Sequence, residues 1–201
     1  MTGPVTGRSV RLPADTEASL LARAKAGDSA AFELLSGRYA DRLFMLLLRL
    51  LGDRGEAEDV AQEVMLRAWR AIASFRGNSS YFTWLYRIAV NEANRALDRR
   101  ARRPASMPIG PAELQLPASG QDDPVRQAEN RELRATLLSA LDELPAELRT
   151  ALVLRDVEGF STQDAAEIAG VSQAALKSRL HQARLRVRAA VGDAALAGSG
   201  G

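Results

Sequence analysis

The chain has 201 residues, 46% of them hydrophobic and 26% charged, enough for one or two ordinary globular domains. It has no cysteine and one histidine, His181, which excludes disulfide frameworks, thiolate or imidazole metal cages and His-dependent triads. Net charge is +2 although the pI is about 9.4. The greasiest run, Leu43 to Leu51, is broken by Arg49 and falls short of the roughly 20 residues a membrane span needs, so a soluble, cytoplasmic chain without membrane insertion is expected.

Ala, Leu, Arg and Glu abound while aromatics make up 5%, a mixture that loses little rotamer freedom in helices. Residues 1–14 read as a disordered arm. A first helix over about 16–26 stops at Gly27, and Asp28 caps a second. In that second helix Phe32, Leu35, Tyr39, Leu43, Leu47 and Leu50 recur every three or four residues as one apolar stripe, up to Gly52. A third helix, about 55–74, carries Ala57, Val60, Val64, Ala68 and Ile72. After the loop Phe75-Arg76-Gly77-Asn78-Ser79-Ser80, a fourth runs to about Arg102 and buries Leu85, Ile88, Ala89, Ala93 and Ala96. Trp69 and Trp84 each lie on the apolar side of their helix and are assigned to the core.

Residues 104–124 hold five of the eight prolines plus Gly110 and Gly120, the composition of an extended linker. Helical patterning resumes near Val125: Leu133, Leu137, Leu141 and Leu144 form a stripe, Pro145 suits a first turn, and Leu148 to Val157 is amphipathic. No strand-like alternation occurs. The expected fold is all-α, with two small helical domains at 15–103 and 125–192 and a flexible tail at 193–201.

Residues 161–190 have the layout of a helix-turn-helix. Ser161 and Asp164 form a capping pair, and Ala165, Ala166, Ile168 and Ala169 are small or apolar, as a close helix crossing requires. Gly170 makes the turn, Val171 plugs it, and Ser172 caps the next helix. There Leu176 and Leu180 face inward, leaving Gln173, Lys177, Ser178, Arg179, His181, Gln182 and Arg184 outside. Residues 173–190 contain five Lys or Arg and no acid. A solvated basic helix on any small bundle has the same charge count. The added cap, close crossing and glycine turn favour insertion in a DNA major groove, where cations meet phosphate and Gln, Arg and Lys reach base edges. For His181 alone, groove-facing and merely solvated placements look identical.

Charge also splits in the first domain. Residues 53–63 carry Asp53, Glu56, Glu58, Asp59 and Glu63 against Arg54, a local charge of −4, while 82–103 carry six Arg against Glu92 and Asp98. Acids in a helix's first turn suit its macrodipole. Two opposite runs on adjacent helices point further, to one protein partner and one polyanion.

The run Ala57-Glu58-Asp59-Val60-Ala61-Gln62-Glu63-Val64-Met65-Leu66-Arg67-Ala68-Trp69-Arg70, then Phe75-Arg76-Gly77, then Trp84-Leu85-Tyr86-Arg87-Ile88-Ala89-Val90-Asn91, resembles region 2 of bacterial RNA polymerase sigma factors. Leu144-Pro145-Ala146-Glu147, Gly159-Phe160-Ser161 and Lys177-Ser178-Arg179-Leu180-His181-Gln182-Ala183-Arg184 resemble region 4. Both together, with only a short linker between, are similar to the extracytoplasmic-function (ECF) subfamily.

The resemblance implies that Asp59, Gln62, Glu63, Arg67 and Arg70 dock on the clamp helices of the polymerase β′ subunit. It implies that Arg76, Asn78, Ser79, Ser80 and Tyr81, with Arg87 and Asn91, read the −10 element as melted single strand. Ser172, Gln173, Lys177, Ser178, Arg179, His181 and Arg184 would meet the −35 element, while the other face of that domain meets the β-subunit flap. An anti-sigma protein is the further implied partner. Departures from the family pattern are Ala174-Ala175-Leu176 in place of Gly-Thr-Val, Arg95 in place of a frequent Asp, and Gln182 in place of a frequent Arg. The first removes a hydroxyl that often touches DNA and so bears on −35 preference.

The expected function is promoter recognition and DNA melting with core polymerase, without enzymatic activity or cofactor, since no nucleophile–base pair, phosphate loop or metal-ligand spacing occurs. Two alternatives share parts of the pattern. A helix-turn-helix regulator acting without polymerase would not need the acidic helix. A sigma mimic that titrates an anti-sigma factor would not need Lys177, Arg179 and Arg184.

Overall fold

The computed structural model describes residues 16–102 and 135–198, the latter with side chains to residue 192. The arm at 1–14, the linker at 104–124 and the stripe position Leu133 lie outside the described residues. Among those described, every regular element is a helix.

The first unit is built from α1 (Glu17–Lys25), α2 (Ser29–Gly37), α3 (Ala40–Leu51), α4 (Arg54–Ala71) with a tight turn at Ile72–Ser74, and α5 (Tyr81–Arg102). Side-chain oxygens start four of them by accepting orphan N–H groups: Thr16 from Ser19 (3.2 Å), Asp28 from Ala31 (3.0 Å), Asp53 from Glu56 (2.7 Å) and Ser80 from Thr83 (3.0 Å). The N–H bond of Ala31 and the Arg23 guanidinium both hold the Asp28 carboxyl below its ordinary value.

The single second helix expected over 28–51 is in fact two. The chain turns at Arg38–Tyr39, where the Tyr39 N–H closes on the Ser36 carbonyl (3.0 Å). Gly37 is worth about 1 kcal/mol less than Ala in a helix, and Ser36 is turned inward to the Tyr81 hydroxyl (2.7 Å), so local cost and a tertiary bond act together. The apolar stripe survives the break. Leu35, Leu43, Leu46, Leu47, Leu50, Leu51 and Leu85 are all within 1% of full burial, and such a side chain contributes roughly 1.5–3 kcal/mol over an exposed one.

The second unit comprises α6 (135–142), α7 (Ala146–Leu152), α8 (Thr162–Ala169) and α9 (Gln173–Gly198). Its core is Leu144, Leu148, Leu154, Ile168, Leu176, Leu180 and Ala183. Leu137 departs from the expected stripe: it is exposed, and Ala140 fills the buried position in α6 instead. Helix α9 runs past the expected domain bound at 192 into the tail as far as Gly198, over Ala194, Ala195, Leu196 and Ala197, which are strong helix formers.

The two units meet where α5 packs on α8 and, beside it, at the C-terminus of α3. Gly52 ends that helix with φ 72°, a left-handed conformation that favours glycine, with the Asp142 carboxylate at the end of α6 close beside it. Two guanidiniums take up the helix's last carbonyls: Arg149 Nη1 donates to Leu50 (2.7 Å) and Arg100 Nη1 to Leu51 (3.2 Å).

Candidate nucleic-acid interface

Helix α4 buries Ala57, Val60, Val64 and Ala68 and thereby turns Asp59, Gln62, Glu63, Leu66 and Arg70 to solvent at i, i+3, i+4, i+7 and i+11. Arg67 is half-exposed and forms an ion pair with the buried Glu92 carboxylate of α5 (3.0 Å), which Arg95 also pairs (2.7 Å). Leu66, at 56% exposure, is an apolar group in the middle of this charged face. Sequence reasoning missed it; its signal was an apolar residue out of phase with the buried stripe. The opposite charge runs of α4 and α5 touch through Glu56 and Arg100 (3.6 Å).

The loop between α4 and α5 rests on an aromatic floor. The Phe75 ring is buried between Tyr81 (6.3 Å) and Trp84 (5.3 Å), and its carbonyl accepts from Lys25 Nζ (2.8 Å). Gly77 follows with φ 75°, so Arg76 and Asn78 stand in solvent, with Ser79 half-exposed. Ser80 caps α5 by accepting the Thr83 N–H (3.0 Å), which commits its hydroxyl locally.

Tyr81 is not at this surface. Its side chain is 1% exposed, its hydroxyl is bonded to Ser36, and burial pushes its pKa to about 12. Its ring is floor beneath the loop rather than a base contact. Trp84 is likewise core at 9% exposure, and Trp69 is half-buried against Phe32 (5.2 Å). Arg87 and Asn91 are exposed one turn apart on α5, so the loop and this helix face hold Arg76, Asn78, Arg87 and Asn91 open to a ligand.

The helix-turn-helix forms as its residue types require. Ser161 Oγ accepts the Asp164 N–H (3.0 Å) and donates to its carboxylate (2.6 Å). Gly170 takes the left-handed turn at φ 67°, and Ser172 Oγ accepts the Ala175 N–H (3.1 Å) to start α9. Leu176 and Leu180 are buried, while Gln173, Lys177, Ser178, His181, Gln182 and Arg184 are exposed. Helix α9 itself has no acid through residue 190, yet two of its cations are paired with acids from elsewhere. Arg179 is half-buried beside Glu147 (3.4 Å), and Arg184 makes two bonds to Asp156 (2.8 and 2.6 Å). The Asp156 hydrogen bonds raise the Arg184 guanidinium above its ordinary value. Lys177 and Arg184 can reach phosphate, and Gln173 and Gln182 can offer amides to base edges.

Comparison with known proteins finds a family model in each unit. Residues 35–103 match the family model Sigma-70 region 2, and residues 134–187 match Sigma-70, region 4. The chain is 36% identical over 178 residues to the RNA polymerase sigma-H factor of Pseudomonas aeruginosa, covering 86% of this chain and 92% of that protein. It is 37% identical over 174 residues to the ECF RNA polymerase sigma-E factor of Haemophilus influenzae, covering 84% and 92%. Among solved structures, CnrH in complex with the cytosolic domain of CnrY has a TM-score of 0.62 at 25% identity, over 87% of this chain and 96% of that one. The sigma factor RpoE of Bartonella quintana, in complex with the anti-sigma factor NepR, has a TM-score of 0.59 at 26% identity, over 80% and 98%. The chain belongs to the ECF family of RNA polymerase sigma factors.

Proposed function

We propose that this sigma factor directs transcription initiation through three separable surfaces on two domains, bounded near 15–103 and 125–192. The α4 face of Asp59, Gln62, Glu63, Leu66, Arg67 and Arg70 takes the β′ clamp helices of core polymerase, with Leu66 as its apolar anchor. Arg76, Asn78, Ser79, Arg87 and Asn91 hold the melted −10 strand. Helix α9, through Ser172, Gln173, Lys177, Ser178, Arg179, His181 and Arg184, enters the −35 major groove while the other side of its domain meets the β flap. The chain works in the cytoplasm and does no bond chemistry itself, leaving that to the polymerase. Because one solved relative is in complex with an anti-sigma factor and another with a cytosolic partner domain, an anti-sigma protein is the proposed regulator.

One observation carries this reading. An acidic face repels DNA, so a DNA-reading chain with one needs a protein partner for it, and an exposed leucine at its centre is what a desolvated interface uses.

Run-off transcription with purified core polymerase tests the partition. Arg179→Glu with Arg184→Glu should lower initiation that depends on the −35 element at least about tenfold while core binding stays within about twofold. Asp59→Lys with Glu63→Lys should weaken core binding by at least about tenfold. Loss of core binding in the first pair would overturn the assignment.

A further inference from the structure

We infer that Lys25, in the last turn of α1, is a positioning residue for the loop Arg76–Ser79 and aims it at the melted −10 strand. The purpose of the aiming rests on the functional reading above; the aiming itself rests on geometry.

The loop has no holds of its own. Among the described residues, Arg76, Gly77, Asn78 and Ser79 form no hydrogen bond, ion pair or ring contact, so their course is set by what fixes the two ends. At the exit, Ser80 is committed to the first turn of α5 through its bond from the Thr83 N–H (3.0 Å). At the entry, the Phe75 N–H closes on the Ile72 carbonyl (3.0 Å), and the Phe75 ring is seated against Trp84 (5.3 Å).

Those entry contacts fix the ring and the N–H of Phe75 and leave its ψ, 117°, unfixed. A peptide unit is planar, so rotation about that one bond swings the Phe75 carbonyl and the start of Arg76 together. The ring stays seated while the plane turns. The group that senses this plane is the ammonium of Lys25, whose Nζ donates to the Phe75 carbonyl (2.8 Å) across 50 residues of sequence. A bond from a charged donor is shorter and stronger than a neutral one, and this one sits two residues before Gly77, where the backbone is freest to wander.

Helix α1 is suited to be the fixed point. Leu20 and Ala24 are buried to within 1%, and the Tyr39 hydroxyl donates to Glu17 in the first turn. The strut is therefore anchored in the domain along its length before its last turn reaches the loop. An ordinary surface lysine keeps its donors in water and its rotamers free; Lys25 gives up that freedom for one carbonyl.

Lys25→Met keeps the stem and deletes the donors, while Lys25→Arg supplies another cation able to donate to the same carbonyl. In amide NMR spectra of the full-length free protein, Lys25→Met should shift or broaden Gly77 and Asn78 and leave the amides of α4 in place. Run-off transcription with core polymerase gives the functional readout, as initiation from a promoter the wild type uses divided by initiation after its −10 segment is scrambled. That ratio should fall at least about fivefold in Lys25→Met and return to within about twofold of wild type in Lys25→Arg. Core binding should stay within about twofold, and promoter binding should keep its salt slope. An undiminished ratio in Lys25→Met would overturn the proposal, as would a ratio that stays low in Lys25→Arg. A salt slope reduced by about one would make Lys25 a phosphate contact and count equally against a positioning role. If wild-type initiation ignores the −10 segment while Gly77 and Asn78 still respond to Lys25→Met, the functional reading fails and the anchoring of the loop stands.

Discussion

The three tyrosines of the chain, Tyr39, Tyr81 and Tyr86, all sit in the aromatic layer of the first domain, and none presents a free phenol to water. Burial, against the opposing pull of the Ser36 hydrogen bond, pushes Tyr81 up to about 12; burial and then the Glu17 hydrogen bond push Tyr39 to about 12; burial pushes Tyr86 up as well. Raised values mean that the unfolded chain ionises first, near pH 10. The stability these phenols contribute is whole below pH 10 and is lost as pH rises through about 12. An absorbance titration at 295 nm should therefore show no tyrosine ionising at its ordinary midpoint, with the change delayed until helicity collapses. Three ordinary midpoints near 10 would contradict the buried layer. Tyr81 also marks a limit of reading residues singly. The family resemblance puts it among DNA contacts with the polar loop before it, whereas its real neighbours, Ser36 and Tyr39, lie more than forty residues earlier in the chain.

At the scale of elements, most of the fold was legible because its signals are local. Asp28, Ser161, Gly170 and Ser172 act as the caps and turn their types require, and the stripes of α4 and α5 are buried as spaced except for Ile88, which is only partly buried. The α2–α3 break was illegible because a continuous stripe looks the same whether or not Ser36 turns inward. The recognition helix shows the same division. Its basic face could be read from α9 alone, but the acids beside it come from residues 147 and 156. Asp156 holds Arg184 ready in one rotamer and also competes with phosphate for it. With no polyanion present the two roles agree; if Arg184 meets phosphate as proposed, they conflict on DNA, where phosphates add charge at every step. Asp156→Asn keeps the shape and removes the charge. Fluorescence anisotropy of a −35 duplex at fixed salt should show about three- to tenfold tighter binding by this variant. Weaker binding would mean that orientation of Arg184 outweighs competition.

Across the whole molecule the decisive contacts are the ones no window of sequence contains: Arg42 meets Glu158 across 116 residues, and Arg149 reaches Leu50 across 99. Arg149 is 3% exposed, and burial pulls its guanidinium below its ordinary value while Asp142 (3.4 Å) acts the other way. It donates to the carbonyls of Leu50, Asp142 and Leu144, so a single side chain ties the end of α3 to the entry of α7. Hydrogen bonds from a charged donor contribute about 1.5–3 kcal/mol each, and losing the donor leaves buried carbonyls unpaired. That makes Arg149 a coupling between the stabilities of the two domains. Scanning calorimetry of the wild type should give one cooperative transition. Arg149→Met keeps the apolar stem and deletes the donors, so the second domain should lose about 2–4 kcal/mol and melt first, resolving two transitions. A variant that still melted in one step at the wild-type temperature would show that Arg149 is not what couples the domains.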